Sequence, residues 1–530
     1  MTSVREATFD VLRHFGLTTM FANPGSTEVA FLTNLPDDFE FVLALHEGSV
    51  VGAATGYALG RERPALAILH TTAGLGNAVG AIATARVNRA PLVIIVGQQD
   101  RRHLALEPFL AGHLRGLAGE YPVWVNEPIR PQDVPGAIAR AYHESLAQRG
   151  PAIVIVPMDD WLAEAAPGPF GAPMQLIPSD GGSVAGASKL AALLNAARTP
   201  ALVVGAGADD AATWREIALL AERLDAPVYQ ESFGGRAGFA QDHPCFAGFL
   251  PADRPRLREL LMPYDVVFAI GAPVFRQYPF VDGPLVEEGT LLAVLTREPA
   301  EAHRSPVELA VLGEPAVVLA QLNDVLTPRA RTLRTVPEPS PPERAGVLRA
   351  AHVMYELGVR LPPDAVVIEE SPSSRPELHA LVPARTNLGF LSAAMGGLGF
   401  ALPAAIGVKL ALPDRPVVAV VGDGSSLYNI QALWTAAQYH VGALFIVLAN
   451  GRYAIMDRLA ERIPDGKAPW PGFESIDVAG LATALSCPTH VVRDFAELDA
   501  ALDELLPTLR ERRSPMLLHV NVVPDLTFNP

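Results

Sequence analysis

One stretch of the chain, PVVAVVGDGSSLYNIQALWTAAQYHVGALFIVLANGRY at 416–453, restricts the possible folds more than any other. It opens on an apolar, β-branched run, the pattern of a parallel strand buried on both faces. The run ends in Gly422-Asp423-Gly424, where small residues let backbone N–H groups come close to an anion. An amphipathic helix is predicted next, then a second apolar strand over 443–448, with Asn450 just past its end. A βαβ unit of this size sets Asp423 and Asn450, 27 positions apart, at the carboxyl edge of adjacent strands. Open α/β sheets bind ligands at that edge. A carboxylate, an amide oxygen and a nearby backbone carbonyl form a hard, all-oxygen site suited to Mg²⁺ or Ca²⁺, and such a cation usually serves a phosphate. A GDG turn alone is common after a strand and binds nothing in most chains. The correctly spaced Asn makes it a metal–diphosphate expectation.

The rest of the chain repeats the same βα alternation. Residues 1–165 read as strands over 19–22, 39–45, 65–70, 92–97 and 153–157, with Ala/Gly-rich helices over 48–59 and 74–88 suited to close packing. Residues 185–330 read as a second unit with strands over 201–204, 266–270 and 291–295, and residues 345–530 as a third. Pro/Gly/Ser-rich text at 167–184 and Pro/Glu/Arg-rich text at 332–343 read as linkers. The expectation is an α/β protein of three doubly wound parallel-sheet domains, and a length of 530 residues accommodates them. Classical NAD binding is argued against in the middle unit. Asp210 stands where a third glycine would follow Gly205-Ala206-Gly207.

Composition narrows the partners. A net charge of −16 argues against nucleic acid or an anionic membrane, and no apolar run reaches transmembrane length. Cys245 and Cys487 read as buried thiols in a reducing compartment. The first residues form a charged amphipathic helix without a secretory apolar segment, so a cytoplasmic location is expected.

The GDG–Asn pair resembles the signature of thiamine-diphosphate-dependent enzymes, although Ala449 replaces the first Asn of their usual pair. The resemblance covers nearly the whole chain and is closest to the benzoylformate decarboxylase branch of the 2-keto acid decarboxylases. It is carried by FANPGSTE at 21–28, LALHEG at 43–48, GQQ at 97–99, GAPVFR at 271–276, GGLGFALPAAIGV at 396–408 and LWTAAQY at 433–439. It implies that the three domains bind the pyrimidine, lie between, and bind the diphosphate. It also implies a homo-oligomer, a tetramer with active sites at the dimer interface.

Residue by residue, the resemblance makes Glu47 the acid that activates the pyrimidine. Read locally, Glu47 is equally a helix N-terminal acid that offsets the macrodipole. Leu398 is implied to bend the cofactor and Gly396 to offer it a carbonyl. Gly422, Gly424 and Ser425 would meet the diphosphate, with Tyr428, Tyr453 and Ser373 nearby, and Asp423, Asn450 and the Arg452 carbonyl would ligate the metal. His70 matches a proton-transferring histidine, a task suited to its pKa near neutrality. Ser26 matches the residue that holds the substrate carboxylate; its local alternative is a helix N-cap together with Glu28. Two departures stand out. Tyr278 occupies the place of a second catalytic histidine, and a phenol of pKa near 10 is a poor proton shuttle at neutral pH; His103 and His113 are the candidates to compensate. Ile455 is bulkier than the residue expected in the substrate pocket, which Met456, Leu459, Phe109 and Leu110 would complete.

The implied reaction is non-oxidative decarboxylation of an aromatic or branched 2-keto acid, benzoylformate-like, to an aldehyde and CO₂. The alternative is a carboligase or lyase of the acyloin or acetolactate synthase type. A non-catalytic family member is a third reading, and the intact Glu47, Asp423 and Asn450 speak against it.

Overall fold

The computed structural model describes residues 2–166, 184–330 and 339–524. The predicted linker at 167–184 lies, Val184 apart, outside the described residues. So does the 332–338 part of the second linker; 339–343 carry no helix or strand.

Among the described residues the strands form three six-stranded sheets, and every pair within them is parallel. The first contains β1 (Thr19–Asn23), β2 (Glu40–Leu43), β3 (Ala65–His70), β4 (Leu92–Gln98), β5 (Trp124–Asn126) and β6 (Pro151–Pro157), in the order 2-1-3-4-6-5. The second contains β7 (Pro200–Val204), β8 (Val228–Gln230), β9 (Phe246–Phe249), β10 (Val266–Ile270), β11 (Leu291–Thr296) and β12 (Leu309–Leu312), in the order 12-11-10-7-8-9. The third contains β13 (Val366–Glu370), β14 (Phe390–Ser392), β15 (Val417–Gly422), β16 (Leu444–Ala449), β17 (Thr489–Val492) and β18 (Met516–Asn521), in the order 14-13-15-16-18-17. The first and third sheets share one connectivity pattern. Helices cover the faces, so central strands such as β4 and β6 are buried from end to end. Continuous apolar runs, rather than alternation, are the consequence.

Three helical features set up the site. The helix Glu47–Arg61 follows β2, and the helix Thr71–Val87 follows β3 directly. The helix Ala401–Ala411 of the third domain packs along Glu47–Arg61 of the first. A Cβ on Gly52 would stand 2.8 Å from Pro403 Cγ, and one on Gly60 2.7 Å from Ala411 Cβ. One apolar core therefore runs from the first sheet through this helix pair into the third.

The single amphipathic helix expected after Gly424 is instead two pieces, Asp423–Ser426 and Ala432–Gln438. The break has a physical reason. It turns Asn429 inward, where its side chain accepts from Ser49 Oγ at 3.0 Å and donates to the Gly399 carbonyl. An unbroken helix would forgo these buried bonds.

Candidate active site

The residues singled out in the sequence gather into clusters at the carboxyl edges of the first and third sheets. In the first, β1 ends at Asn23, β3 at His70, and Glu47 opens the helix after β2. The Glu47 carboxylate is 8% exposed, and both of its oxygens are held. Oε1 accepts from Asn23 Nδ2 at 3.1 Å and Oε2 from Asn77 Nδ2 at 3.1 Å. A Cβ on Gly74 would lie 3.5 Å from both Glu47 Cγ and His70 Cβ, so these two side chains flank one glycine.

His70 Nδ1 lies 3.0 Å from Glu28 Oε2 and 3.0 Å from Thr27 Oγ1. An ionised carboxylate can only accept, so the Nδ1 proton points to Glu28, and Nε2 is left free to exchange a proton elsewhere. Glu28 is 2% exposed and also accepts the Gly25 N–H at 2.7 Å. Gly25 and Gly97 leave room for this cluster: a Cβ on Gly25 would strike the imidazole, and one on Gly97 would stand 2.8 Å from Glu28 Cδ. Ser26 is not the N-cap considered for it, because Gly25 holds that place and Glu28 closes the turn. The Ser26 side chain is exposed beside His70's partners, without a hydrogen bond among the described residues.

The loop after β4 is tied down by the GQQ glutamines. Gln98 donates to the Gly112 carbonyl at 2.7 Å and accepts its N–H at 3.0 Å, while Gln99 donates to the Phe109 carbonyl at 2.8 Å. The loop presents Phe109, 86% exposed, and Leu110, which has a left-handed φ of 69°. His103 and His113 lie on its exposed side, His113 3.9 Å from Glu107.

In the third domain, Asp423 Oδ1 accepts the Gly424 N–H at 2.8 Å and Oδ2 the Gly451 N–H at 2.6 Å. Burial pushes the Asp423 carboxyl up, and these backbone donors oppose the shift. Asn450 Oδ1 accepts the Arg452 N–H at 3.0 Å, so Asp423, Asn450 and Arg452 form one turn region at the ends of β15 and β16. Among the described residues no group of three His, Cys, Asp or Glu side chains could hold a metal. A cation here would rest on one carboxylate and neutral oxygens, the donor set Mg²⁺ or Ca²⁺ accepts. Ser425 is buried in the same turn, and the Phe473 ring faces Gly424: a Cβ there would stand 2.9 Å from Phe473 Cζ. Tyr453 meets Phe473 edge-on at 5.1 Å, and Tyr428 is half exposed. Ser373 lies in the turn Pro372–Ser374, against the helix Ala454–Glu461. That helix carries Ile455, Met456 and Leu459, and none of its residues is fully buried.

Leu398 is half-buried in a loop whose flanking glycines, Gly396 and Gly399, have φ of 67° and 92°. The loop is anchored by Glu370, at the end of β13, whose carboxylate accepts the N–H groups of Gly399, Phe400 and Ala401 at 2.6, 2.7 and 2.6 Å. Burial pushes Glu370 up to about 7 despite these three donors. Tyr278 of the middle domain belongs to this side. Two residues before it, Arg276 donates to the Ala394 carbonyl at 2.9 Å and reaches Glu231 at 3.4 Å. The Tyr278 side chain is 59% exposed and meets Phe233 edge-on at 6.4 Å. Among the described residues no hydrogen bond or ion pair joins Glu47 or His70 to Asp423, Asn450 or Tyr278.

Residues 2–116 match the N-terminal TPP binding domain of thiamine pyrophosphate enzymes, 187–322 their central domain, and 376–520 their C-terminal TPP binding domain. The chain belongs to the thiamine pyrophosphate enzyme family. Within it, the chain is 38% identical to benzoylformate decarboxylase of Pseudomonas aeruginosa, with 100% of both chains covered. It superposes on the crystal structure of benzoylformate decarboxylase from Polynucleobacter necessarius with a TM-score of 0.94 and 32% identity, covering 99% of this chain and 100% of that one. The thiamine diphosphate-dependent 4-hydroxybenzoylformate decarboxylase of Rhodococcus jostii gives a TM-score of 0.93 and 34% identity over the same shares.

Several residues of these clusters escaped the sequence reading. Asn23 and Glu28 stood inside FANPGSTE, but nothing local shows that one would hold Glu47 and the other His70. Asn77 and Glu370 carried no signal at all. Their partners lie 30 and 29 residues away, respectively, and only the fold brings them together.

Proposed function

We propose that the chain catalyses thiamine-diphosphate- and Mg²⁺-dependent decarboxylation of an aromatic or branched 2-keto acid, benzoylformate being the leading candidate, to an aldehyde and CO₂. The observation that carries this reading is the pairing of a doubly anchored, buried Glu47 with an adjacent His70 oriented by Glu28. Two proton-handling groups of different kinds flank one glycine at a sheet edge.

When bound, thiamine diphosphate supplies the electron sink that a 2-keto acid needs in order to lose CO₂. The protein's residues position and tune it. Asp423, Asn450 and the Arg452 carbonyl would hold Mg²⁺ (Ca²⁺ is the alternative), and Gly422, Gly424, Ser425, Ser373, Tyr428 and Tyr453 would hold the diphosphate. Leu398 and Gly396 would hold the ring end. Glu47 would hold a proton at its carboxylate for the pyrimidine end of the cofactor. Ser26 holds the substrate carboxylate, and His70 Nε2 gives and takes the proton at the reacting carbon. Phe109, Leu110, Ile455, Met456 and Leu459 enclose the apolar side chain of the substrate. Differences of one methylene there shift preference by only ~1–3 kcal/mol, so the panel of accepted acids is narrow in kind and not in detail.

Glu47 stands at the edge of the first sheet and Asp423 at that of the third; on the family pattern the sites are completed between copies of a homo-oligomer, a tetramer. Among the described residues no helix is long and apolar enough to cross a membrane. Both cysteines are free and buried, which supports the cytoplasmic reading.

The test is a panel of 2-keto acids supplied to the purified protein with and without thiamine diphosphate and Mg²⁺, following CO₂ and aldehyde. Cofactor-dependent benzaldehyde from benzoylformate is expected; no CO₂ from any acid with cofactor restored refutes the reading. The exposed Tyr278 phenol favours a second reading. Slow protonation at that position would divert the same site to carbon–carbon ligation, seen as acyloin in place of aldehyde.

A further inference from the structure

β13 ends in two consecutive carboxylates, Glu369 and Glu370, 0% and 3% exposed. Successive residues of a strand face opposite sides of its sheet. Here Val367 belongs to one apolar core and Val366 and Ile368 to another, so the two glutamates reach different pieces of chain. Glu369 accepts the Ser371 N–H at 2.6 Å, Arg375 Nε at 2.8 Å and Ser392 Oγ at 2.9 Å. Arg375 Nη2 closes the triangle by donating to Ser392 Oγ at 2.9 Å. These bonds fix the turn that holds Ser373 and the end of β14, where Ser392 is the register partner of Glu369. On the other face, Glu370 takes the N–H groups of Gly399, Phe400 and Ala401.

The loop between these anchors carries Gly396 and Leu398. Ala393 and Ala394 are buried, residues 395–397 are exposed, Leu398 is half-buried, and Gly399 and Phe400 are buried again. Three of the four residues 396–399 are glycine, and fixing one residue's backbone costs ~1–2 kcal/mol, most for glycine. A tip of that composition keeps one shape only if its ends are held. A simpler account makes Glu370 a helix cap: Phe400 offers no side-chain cap to the helix Ala401–Ala411, and an acid there offsets the macrodipole. It leaves the Gly399 bond, which lies in the loop, unexplained. It also leaves unexplained why a buried acid without an ion pair among the described residues stands in for a Ser or Asp at position 400.

We propose that Glu369 and Glu370 are positioning residues for the cofactor: from adjacent places on one strand they hold the two ends of the loop 393–398, and so fix Gly396 and Leu398 relative to the diphosphate turn. The role rests on the thiamine diphosphate reading given above. Both carboxylates act through the chain they bond. Glu369 also serves the Ser373 turn through Ser371 and Arg375, whereas Glu370 bonds only the loop end and the helix behind it. Loss of the Glu370 bonds should therefore be felt at the ring end of the cofactor and not at the diphosphate end.

The test measures binding rather than turnover. Calorimetry on the full chain compares thiamine diphosphate with inorganic diphosphate, each with saturating Mg²⁺; the second ligand fills only the diphosphate end. The titrations are run at pH 8, above the value of about 7 to which burial pushes Glu370. Glu370→Gln should weaken thiamine diphosphate binding about 10- to 100-fold, the loss of one hydrogen bond to a charged group, with the Kd of diphosphate unchanged. Ser392→Ala cuts Glu369 from the start of the loop and leaves its bonds to Ser371 and Arg375. It should weaken thiamine diphosphate about 3- to 10-fold with the same selectivity. A variant that binds both ligands as the wild type does, or weakens both alike, overturns the role of its glutamate, because a merely structural cap would loosen the whole domain. Should Glu370→Gln fail to fold, Glu370→Asp, which keeps the charge on a shorter stem, is judged by the same pair of titrations. A wild type without saturable thiamine diphosphate binding refutes the functional reading and the positioning role with it; unselective variants of a wild type that binds refute the role alone.

Discussion

Replacing Gly97 by alanine tests whether Glu28 positions His70. The new Cβ would collide with Glu28 Oε1 and Thr27 Oγ1 and stand 2.8 Å from Glu28 Cδ, against ~3.5–4.0 Å for ordinary carbon contacts. Glu28 and Thr27 are 2% and 0% exposed, so neither can escape into solvent without moving its neighbours. The carboxylate must swing by at least about 1 Å. Its bond to His70 Nδ1 would then stretch from 3.0 Å to roughly 4 Å, beyond hydrogen-bonding range. A hydrogen bond to a charged group is worth ~1.5–3 kcal/mol, so kcat/KM should fall about 10- to 150-fold. The overpacked core should cost a further ~1–3 kcal/mol of stability, visible as a lower Tm. The assay compares kcat/KM for benzoylformate in Gly97→Ala, Glu28→Gln and the double variant. If alanine acts through Glu28, the double variant is no slower than Glu28→Gln alone, because both changes remove one interaction. Losses that multiply, or a Gly97→Ala enzyme within twofold of wild type, refute the positioning role.

Asp423→Asn should raise the Mg²⁺ concentration for half-maximal activity at least tenfold, read from activation curves at saturating thiamine diphosphate, since the only carboxylate of that turn is lost. Tyr278→His should raise kcat near pH 7 and shift product from acyloin towards aldehyde; an unchanged ratio would remove position 278 from the proton path. Glu370 predicts a pH dependence of stability. Its folded pKa of about 7 lies above the ordinary 4.5, so the folded state holds the extra proton between these values. Stability should therefore fall by about 3 kcal/mol as pH rises from ~4.5 to ~7, then level off. Urea denaturation of wild type minus Glu370→Gln at pH 5, 6 and 7.5 isolates this contribution, and a pH-independent difference would contradict it.

The strands that sequence located best are those whose physics is local. β3 and β10, at Ala65–His70 and Val266–Ile270, have the expected bounds because uninterrupted apolar runs end at polar or glycine residues. β5, β8, β9 and β12 carried no such signal: they are short, three or four residues each. β5, β9 and β12 are also edge strands. Their formation depends on a neighbour already being in place. The site divides the same way. Asp423 and Asn450 were legible because one βαβ unit fixes their separation, whereas the polar residues that anchor the candidate machinery reach across the fold. Glu370 reads as one more residue of VVIEE until the loop at 396–400 folds back onto it.

The glycines of the Glu47 helix show how far a legible pattern goes. Their spacing predicts close packing, and the structure supplies the partner. Gly52, Gly56 and Gly60 face Pro403, Ala404 and Ala411, and Gly407 returns against Ala53 and Tyr57. Residue numbers rise together along both helices, so the two run in the same direction with their N-termini side by side. Parallel macrodipoles place two partial positive charges, each about half an elementary charge, at one end. Each N-terminus here has its own carboxylate: Glu47 in the first turn of one, Glu370 on the leading N–H groups of the other. Asn429 clamps the ends together through Ser49 and Gly399. The glycine notches thus fix the register between the element that carries Glu47 and the one that begins at the Leu398 loop. A slip of one residue would move Glu47 along the helix axis by about 1.5 Å, and misplacements near 1 Å can cost about a hundredfold in rate. Residues with no side chain beyond hydrogen therefore fix the place of the proposed catalytic acid as firmly as its own hydrogen bonds do.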